Sequence, residues 1–421
     1  MQNVKVTRLE SGLRVASDSR PDVASLALGV FVAVGTRHEP AEMNGIAHML
    51  EHMAFKGTEN RSAYDIAREI EDVGGYINAF TSREMTAYYL RLLADDLPLG
   101  VDLLADIMQR STFDPQELER ERSVILQELG QAQDTPDDII FDHFQATAFP
   151  AQSLGRPILG EAEIIRNISR DQLQGYMAEH YRPERMVVSA AGRVDHERLV
   201  ELVSRAFEGL APREGGLPPE GARYTGGEYR EDKTLEQAHL LLGLPGVAQL
   251  DDEVYGINLL ATLLGGGMSS RLFQEVREKR GLVYSIYAFH SAYEDSGLFG
   301  IYAGTGEAET GELMPVICDQ LAEVARTADQ EELERARAQL RSSLLMGLES
   351  SSQRCESLAR QLLTRGRPVT PEEMLGKLEA VTLEDVRGLA LRLASAEPTL
   401  AGIGPLANLE SFDSLRARLV A

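Results

Sequence analysis

The chain has 421 residues, of which 43% are hydrophobic and 26% are charged, and 66 acidic against 42 basic residues give a formal net charge of −24. This composition excludes a chain that is disordered over most of its length. The negative charge argues against nucleic-acid binding, which needs a basic surface. No apolar run approaches the length of a membrane-spanning helix, so we expect no membrane insertion, and the chain length favours two domains.

The cysteines and the first residues of the chain bear on its compartment. Only Cys318 and Cys355 occur, which excludes a disulfide framework. The start of the sequence has neither the basic-then-apolar pattern of a secretory leader nor an Arg-rich amphipathic leader, so we expect a protein of the reducing cytoplasm. The acidic excess has two explanations that stay open: it serves solubility alone, or it lines a cavity and attracts basic ligands.

The predicted elements of the first half are strands and amphipathic helices. Residues 24–34 form a continuous apolar run, typical of a strand that is covered on both faces. A helix is predicted between Ser62, which has the character of an N-cap, and the glycines at 74 and 75. Further along, the pattern predicts strands over 76–82 and 85–92 and helices over 95–111 and 115–133.

Short sequence matches at nearly one offset indicate an internal duplication. The matched pairs are 117–122 (ELERER) with 332–337 (ELERAR), 168–173 (ISRDQL) with 381–386 (VTLEDV), and Gly192 with Gly404. We infer homologous domains over 1–211 and 227–421, joined by an exposed Pro- and Gly-rich linker over 212–226. With further strands near 237–244 and 283–304, the predicted fold class is α+β, with one α/β sandwich in each half.

The segment NGIAHMLEHMAFKGT, residues 44–58, carries the strongest chemical signal. It is apolar almost all round and therefore predicts a buried helix. His48 and His52 lie one helical turn apart on this helix, with Glu51 beside them. Three titratable side chains on a buried face are costly unless they are satisfied, and a Zn²⁺ ion would satisfy both imidazoles. The sequence therefore predicts a zinc site on this helix.

A catalytic zinc site needs at least one further protein ligand, and the helix predicted over 115–133 offers candidates. Glu121 and Glu128 share one stripe of this helix with Leu118 and Ile125, and that stripe is predicted to face the core. Buried carboxylates call for a cation. The matching positions of the second half are an alanine and a serine, so the carboxylates are not needed by the helix itself.

With these residues in place, the chain resembles the inverzincins, the family of pitrilysin and insulin-degrading enzyme, whose signature is His-x-x-Glu-His. The match extends through NAFTSREMTAYY at 78–89, ERERSVILQE at 119–128 and LLGGGMSSRLFQEVREKRGLVYS at 263–285. Within the family it is most similar to the β subunit of mitochondrial processing peptidase and its bacterial relatives. The resemblance implies two homologous α/β sandwiches that make up half of a clamshell. The expected location of the protein is a bacterial cytoplasm.

The resemblance also implies roles for the residues of the first half. His48, His52 and Glu128 would bind one Zn²⁺ ion per chain, and Glu51 would be the general base that activates a zinc-bound water. Glu121 would orient a ligand or the substrate from behind the ligands.

Further implied roles concern peptide binding and assembly. Asn78, Ala79 and Phe80 would lie on an edge strand that pairs with an extended peptide, although from the residues alone an ordinary hairpin is the simpler interpretation. Arg277 and Tyr284 match a family pair that binds the substrate backbone and, through the Tyr284 hydroxyl, the developing oxyanion. Because the chain has two domains where some relatives have four, we expect a homodimer in which this pair completes the partner's zinc site.

Two classes of function follow. The first is a zinc endopeptidase that hydrolyses peptide bonds in unfolded, extended and basic peptides, either trimming leader segments or degrading oligopeptides. The alternative is a non-catalytic scaffold subunit of a larger assembly. Such subunits lose metal ligands or the base, whereas this sequence keeps both, as well as Arg277 and Tyr284.

Overall fold

The computed structural model describes residues 3–210 and 219–420. Its strands are β1 (Val4–Arg8), β2 (Arg14–Ser19), β3 (Ser25–Val32), β4 (Tyr76–Thr81), β5 (Thr86–Leu93), β6 (Met186–Gly192), β7 (Gly227–Asp232), β8 (Ala238–Pro245), β9 (Val283–Ala292), β10 (Gly297–Thr305) and β11 (Thr399–Gly404).

Most of the α-helices lie in the chain segments that connect the strands. They are α1 (Ile46–Ala54), α2 (Ala63–Asp72), α3 (Leu97–Gln109), α4 (Pro115–Gln133), α5 (Pro136–Ala148), α6 (Ala162–Asn167), α7 (Arg170–His180), α8 (His196–Ala206), α9 (Val254–Gly265), α10 (Thr310–Thr327), α11 (Gln330–Gly347), α12 (Ser351–Arg365), α13 (Pro371–Ala380), α14 (Leu383–Ala394) and α15 (Phe412–Val420). A π-helical turn covers Phe273–Glu278, and short 3₁₀ turns cover Thr36–His38, Ala41–Met43, Ala94–Asp96, Ser153–Gly155 and Pro183–Arg185.

Local sequence signals set several of these boundaries as predicted. Ser62 caps α2: its hydroxyl accepts a hydrogen bond from the backbone N–H of Asp65, whose carboxylate accepts one in return from the backbone N–H of Ser62. The predicted strand over 24–34 is β3, and its residues from Leu26 to Val32 are buried. The predicted strand region over 283–304 is a hairpin of β9 and β10.

The described residues form two compact units, and neither is a contiguous half of the chain. The first takes in the described residues of Met1–Leu129, Pro157–Glu220 and Leu345–Thr370. The second takes in Gly130–Arg156, Gly221–Leu344 and Pro371–Ala421. No helix in the described part of the chain is both long enough and apolar enough to cross a bilayer.

The first unit is a sheet covered by helices on both faces. Its strand order is β1-β2-β6-β3-β5-β4, with β2 parallel to β6 and the other neighbours antiparallel. One face packs against α1, α3 and α8 in a large apolar core. The other face carries small residues, among them Ala16, Ala27 and Ala87, and these allow α12 to pack closely on it through Leu358, Ala359 and Leu362.

The second unit repeats this plan. Its sheet has the order β7-β11-β8-β10-β9, again with one parallel pair, β7 and β11. One face packs against α9, and α10 and α14 belong to the same core. The other face is covered by α5, whose Ile140, Phe144 and Ala148 contact it. The matching strand orders agree with the internal duplication, and the predicted class, an α+β fold of two homologous α/β sandwiches, is confirmed in its architecture.

The predicted domain boundaries, 1–211 and 227–421, differ from the two units. Helix α5 of the first sequence half belongs to the second unit, and α12 of the second half belongs to the first, because each covers the sheet face that is left open in that unit. Of the predicted linker, residues 212–218 lie outside the described residues. The remainder is not a free linker: the Tyr224 hydroxyl hydrogen-bonds Gly243, Glu397 and Thr399 of the second unit.

Candidate metal centre

Helix α1 carries two histidines on an otherwise apolar segment of the first unit. Ile46, Met49 and Met53 are fully buried, as the sequence predicted. The helix begins after Gly45, which has φ +96°, and a buried carboxylate, that of Glu39, accepts hydrogen bonds from the backbone N–H groups of Gly45 and Ala47, both at 2.8 Å. An anion at this end complements the helix dipole and fixes the start of the helix. The histidine positions are thereby fixed as well.

His48, His52 and Glu128 converge at one point. Nε2 of His48 lies 3.7 Å and Nε2 of His52 lies 3.6 Å from Oε2 of Glu128, and the three ligand atoms all lie within 4.8 Å of one another. The imidazole rings are edge to face, with their centroids 4.6 Å apart. The predicted grouping of these side chains is therefore present in the structure.

The donor set fits a zinc ion. With zinc–ligand bonds of about 2.0–2.1 Å, ligand atoms around a tetrahedral ion lie about 3.3 Å apart, close to the separations found here. Both distances to Glu128 are too long for hydrogen bonds, so the three atoms face one another across a gap that a cation would fill. Two imidazoles and one carboxylate leave a fourth position open, as in catalytic rather than structural zinc sites. The group can hold a metal ion.

Burial keeps His48 in the neutral form that binds metals. Desolvation, with the neighbouring His52 as a smaller cause, lowers the pKa of His48 to about 4. The sequence predicted that Glu121 and Glu128 are both buried, and for Glu128 this was wrong. The Glu128 side chain is 40% exposed, whereas Glu121 as a residue is 6% exposed. Glu128 lies at the open rim of the group, where a ligand must remain accessible to water and substrate.

Glu121 lies behind His52 and does not reach into the group of three. Its Oε2 is 2.9 Å from Nδ1 of His52, and its Oε1 is 2.7 Å from the ammonium of Lys56. An imidazole that donates from Nδ1 to a carboxylate has its Nε2 lone pair free for a metal. This placement fits the predicted supporting position of Glu121, and its role stays a prediction.

Glu51 lies beside the histidines and is held by a residue that the sequence analysis did not single out. The Thr81 hydroxyl, at the end of β4, donates a hydrogen bond of 2.6 Å to Oε2 of Glu51. Burial raises the pKa of Glu51, against smaller lowering effects of the Thr81 hydrogen bond and His52. A glutamate whose pKa is raised by burial is a competent proton acceptor and donor.

Asn78, Ala79 and Phe80 lie on β4, which is the edge strand of the first sheet and forms a hairpin with β5. Asn78 donates to the Tyr76 hydroxyl at 2.7 Å, Ala79 is buried, and Phe80 lies near Tyr89. The segment is therefore both an ordinary hairpin and an edge strand. Peptide pairing along this edge stays a prediction.

Arg277 and Tyr284 belong to the second unit. The Arg277 guanidinium lies 5.3 Å from the centroid of the Tyr284 ring and 4.9 Å from that of Phe273, and the Tyr284 residue is 75% exposed. The two residues are thus neighbours, as their family match implies, and their action on substrate stays a prediction.

Lys56 and Thr81 belong to the site but were not predicted from the sequence. Lys56 is the second residue after the helix that bears the histidines, and Thr81 comes directly after Phe80, so both lie inside segments already marked by the motifs. What distinguishes them is proximity in the folded chain: the Lys56 ammonium lies beside the buried Glu121 carboxylate, and the Thr81 hydroxyl lies beside Glu51. Neither distance could be known before the chain was folded.

Comparison with known proteins gives matches along nearly the whole chain. Residues 14–162 match the family described as Insulinase (Peptidase family M16), and residues 167–340 match the Peptidase M16 inactive domain. An uncharacterized zinc protease of Bacillus subtilis is 39% identical, over 97% of this chain and 100% of its own length. One of Streptomyces coelicolor is also 39% identical, over 97% and 91%.

Two further matches are a plant protein and a solved structure of lower sequence identity. A probable mitochondrial-processing peptidase subunit beta of Arabidopsis thaliana is 37% identical, over 98% of this chain and 81% of its own. The fold is similar to the crystal structure of a protease from Helicobacter pylori, with a TM-score of 0.89, 23% identity and coverage of 96% of this chain and 99% of that one. The family resemblance seen in the motifs is confirmed: the chain belongs to the insulinase family of peptidases, family M16.

Proposed function

We propose that this protein is a zinc-dependent endopeptidase of the bacterial cytoplasm that hydrolyses peptide bonds in unfolded or extended peptides. One observation carries the proposal: His48, His52 and Glu128 converge with a separation suited to zinc, and Glu51 lies beside them with its carboxylate held by Thr81. The bacterial relatives are named zinc proteases, which supports zinc over other metals. One ion per chain is expected, since the described residues offer one such group.

The chain's own residues divide the work of hydrolysis. A bound Zn²⁺ ion would act as a Lewis acid towards water and the peptide carbonyl. Thr81 holds Oε2 of Glu51, which leaves Oε1 to take a proton from the attacking water and to return it to the leaving amine. Glu121 keeps His52 oriented through Nδ1. Strand β4 would pair with the peptide backbone through Asn78, Ala79 and Phe80, which explains a preference for extended substrates.

The experiment that tests this function compares the wild type with Glu51→Gln on a quenched basic peptide, together with the zinc content of both proteins. We expect one zinc per chain in both, and a loss of cleavage of about a thousandfold in the variant, because the general base is removed while the ligands remain. Zinc well below one per chain, or cleavage by the variant equal to that of the wild type, would contradict this mechanism. Absence of cleavage by both proteins would instead favour the non-catalytic scaffold function.

Basic substrates are part of the proposal. The net charge of −24 and the processing function in the name of the Arabidopsis thaliana relative support leader-like peptides rich in Arg and Lys. We expect added salt to raise KM for a basic peptide more than for a neutral one. Equal salt dependence for both would show that the acidity serves only solubility and would remove the argument for basic substrates.

Assembly as a homodimer completes the proposal, with Arg277 and Tyr284 of one chain serving the zinc site of the other. Its test mixes Glu51→Gln chains with chains carrying Arg277→Ala and Tyr284→Phe, each nearly inactive alone. At an equal ratio about half of the dimers are mixed, and each mixed dimer has one complete site of two, so about a quarter of the wild-type activity returns. If the pair acts within its own chain, activity stays at the level of the separate variants.

A further inference from the structure

Lys56 is a cation placed directly behind the candidate metal centre. It follows the last turn of α1, and its backbone N–H donates to the carbonyl of Met53 at 3.2 Å. Its ammonium is 2.7 Å from Oε1 of Glu121, whose side chain is only 7% exposed. Lys56 itself is 30% exposed, so its ammonium reaches inward from the surface to a buried carboxylate.

The two oxygens of the Glu121 carboxylate have different partners. Oε1 is bound by Lys56, and Oε2 is 2.9 Å from Nδ1 of His52. A carboxylate held at both oxygens cannot rotate about its last side-chain bond without losing an ion pair or a hydrogen bond. The imidazole of His52 is thereby fixed with Nε2 towards Glu128 and the metal position.

The loop that carries Lys56 is itself anchored. The side chains of Thr58 and Arg61 both bind Oδ2 of Asp106, at 2.6 and 3.0 Å, and Asp106 is fully buried on α3. Asn60 binds Oδ1 of the same carboxylate at 2.7 Å. A buried carboxylate with this many partners gives a rigid attachment, so the backbone that carries Lys56 has little freedom to move away from Glu121.

We propose that Lys56 is a positioning residue for the zinc site, acting on His52 through Glu121. The inference rests on the proposed zinc binding and adds a residue to it. A buried carboxylate that loses its cationic partner has one remaining contact, and the cost of its unpaired charge favours rotation towards water. His52 would then lose the acceptor that fixes its orientation, and metal affinity would fall. Partners of this kind, one step behind the ligands, typically change metal affinity 10–100-fold.

The test measures the dissociation constant for Zn²⁺ alone, by competition with a chelating dye, on metal-free full-length protein. We expect Lys56→Met to weaken zinc binding about tenfold, with Lys56→Gln close to it, and Lys56→Arg, which keeps a cationic donor, to stay within about threefold. Lys5→Met is the matched control, since it breaks the exposed ion pair between Lys5 and Glu197 and is expected to leave zinc affinity unchanged.

A double variant separates positioning from a general effect of charge or folding. If Lys56 acts through Glu121, then adding Lys56→Met to Glu121→Gln weakens zinc binding no further than Glu121→Gln alone. An equal further loss in that background, unchanged affinity in Lys56→Met, or failure of Lys56→Arg to restore binding would each overturn the inference. If the wild type binds zinc but cleaves no peptide, the proposed peptidase function is wrong and the positioning role of Lys56 is unaffected. If the wild type binds no zinc, both proposals are wrong.

Discussion

The two units share one plan of strands and helices and differ in what their matching helices carry. Helix α1 of the first unit carries His48, Glu51 and His52, whereas α9, which follows the matching strand in the second unit, carries no histidine or carboxylate. On α4, Glu121 and Glu128 face the histidines, and the matching positions on α11 are the buried Ala336 and the exposed Ser343.

The plan that the two units share does not need the histidines and carboxylates of the first. The second unit builds its sheet in the matching order, without a counterpart of β1, and has neither histidines nor carboxylates at the matching helix positions, so the plan of sheet and helices does not depend on them. Polar groups on a buried face cost free energy unless they have partners. A metal cation would satisfy this set, and the predictions below test that difference between the units.

The largest effect is expected for Glu128→Gln. The variant removes the only carboxylate among the three converging ligands, and we expect zinc affinity to fall by more than about a hundredfold, with activity lost in parallel. The measurement is competition for zinc with a chelator. Ser343→Gln, at the matching position of the second unit, is the control and should bind zinc as the wild type does; equal loss in both variants would remove the distinction between the units.

Placing the carboxylate of the first unit into the second is expected to destabilise it. Ala336→Glu puts an unpaired charge at a position that is 2% exposed, where no metal group exists in the described residues, and should cost about 3 kcal/mol of unfolding free energy in urea. Ser343→Glu, at an exposed position, should change stability by less than about 0.5 kcal/mol. Tolerance of Ala336→Glu would show that α11 can accept a buried carboxylate without a cation.

Glu121→Gln is expected to have a smaller effect on metal than Glu128→Gln. Its side chain supports His52 but does not reach the metal position, so zinc affinity should fall about 10–100-fold while one ion still binds at saturating zinc. Titration of both variants on the same day with the same chelator ranks them. The reverse order would mean that Glu121 is the ligand and Glu128 the supporting residue.

Thr81→Val removes the hydroxyl that holds Glu51 and keeps the shape of the side chain. We expect kcat to fall about tenfold with zinc content unchanged, since a hydrogen bond to a charged group is lost beside the metal and not at it. The hydroxyl stabilises the carboxylate, so without it the pKa of Glu51 rises further and the acid limb of the rate profile moves to higher pH. Thr81→Ser, which retains the hydroxyl, should behave as the wild type.

A further prediction concerns buried histidines, in which the units are alike. Burial, then the charge of Arg185, lowers the pKa of His38 in the first unit to about 4, and burial lowers that of His290 in the second to about 4. Because the unfolded chain binds a proton near pH 6.5 and the folded chain only near pH 4, each histidine removes stability as the pH falls through this window.

The measurement is the urea-unfolding free energy at several pH values between 6.5 and 4. His38→Gln and His290→Gln should each reduce its slope by about 1.4 kcal/mol per pH unit, the value for one proton. A steeper slope in either variant would have the wrong sign for a histidine that is held neutral by burial.

Sequence patterns predicted most of the fold because its elements have strong local signals. The capping residues at Ser62, the apolar run of β3 and the repeat between α4 and α11 depend on neighbours in the chain, and the structure has them at the predicted places. The grouping of His48, His52 and Glu128 was also predictable, since helix spacing and the family motif constrain it.

What the sequence could not predict depends on contacts between distant segments. The assignment of α5 and α12 to units other than their own sequence halves follows from the fit of these helices to particular sheet faces, and their amphipathic patterns do not say which sheet they cover. The exposure of Glu128 and the two partners of Glu121 are likewise three-dimensional facts. An apolar stripe on a helix indicates which side of the helix faces the core, but not how deeply each residue on that side is buried.

The place of α12 has a consequence for how the protein is made. The sheet of the first unit needs α12 to cover the face that carries Ala16, Ala27 and Ala87, and α12 is translated long after the last strand of that sheet, β6. Domains usually fold in order as they leave the ribosome. Here the apolar sheet face of the first unit has no cover until residues 351–365 emerge, so the packing of this face is completed late in synthesis.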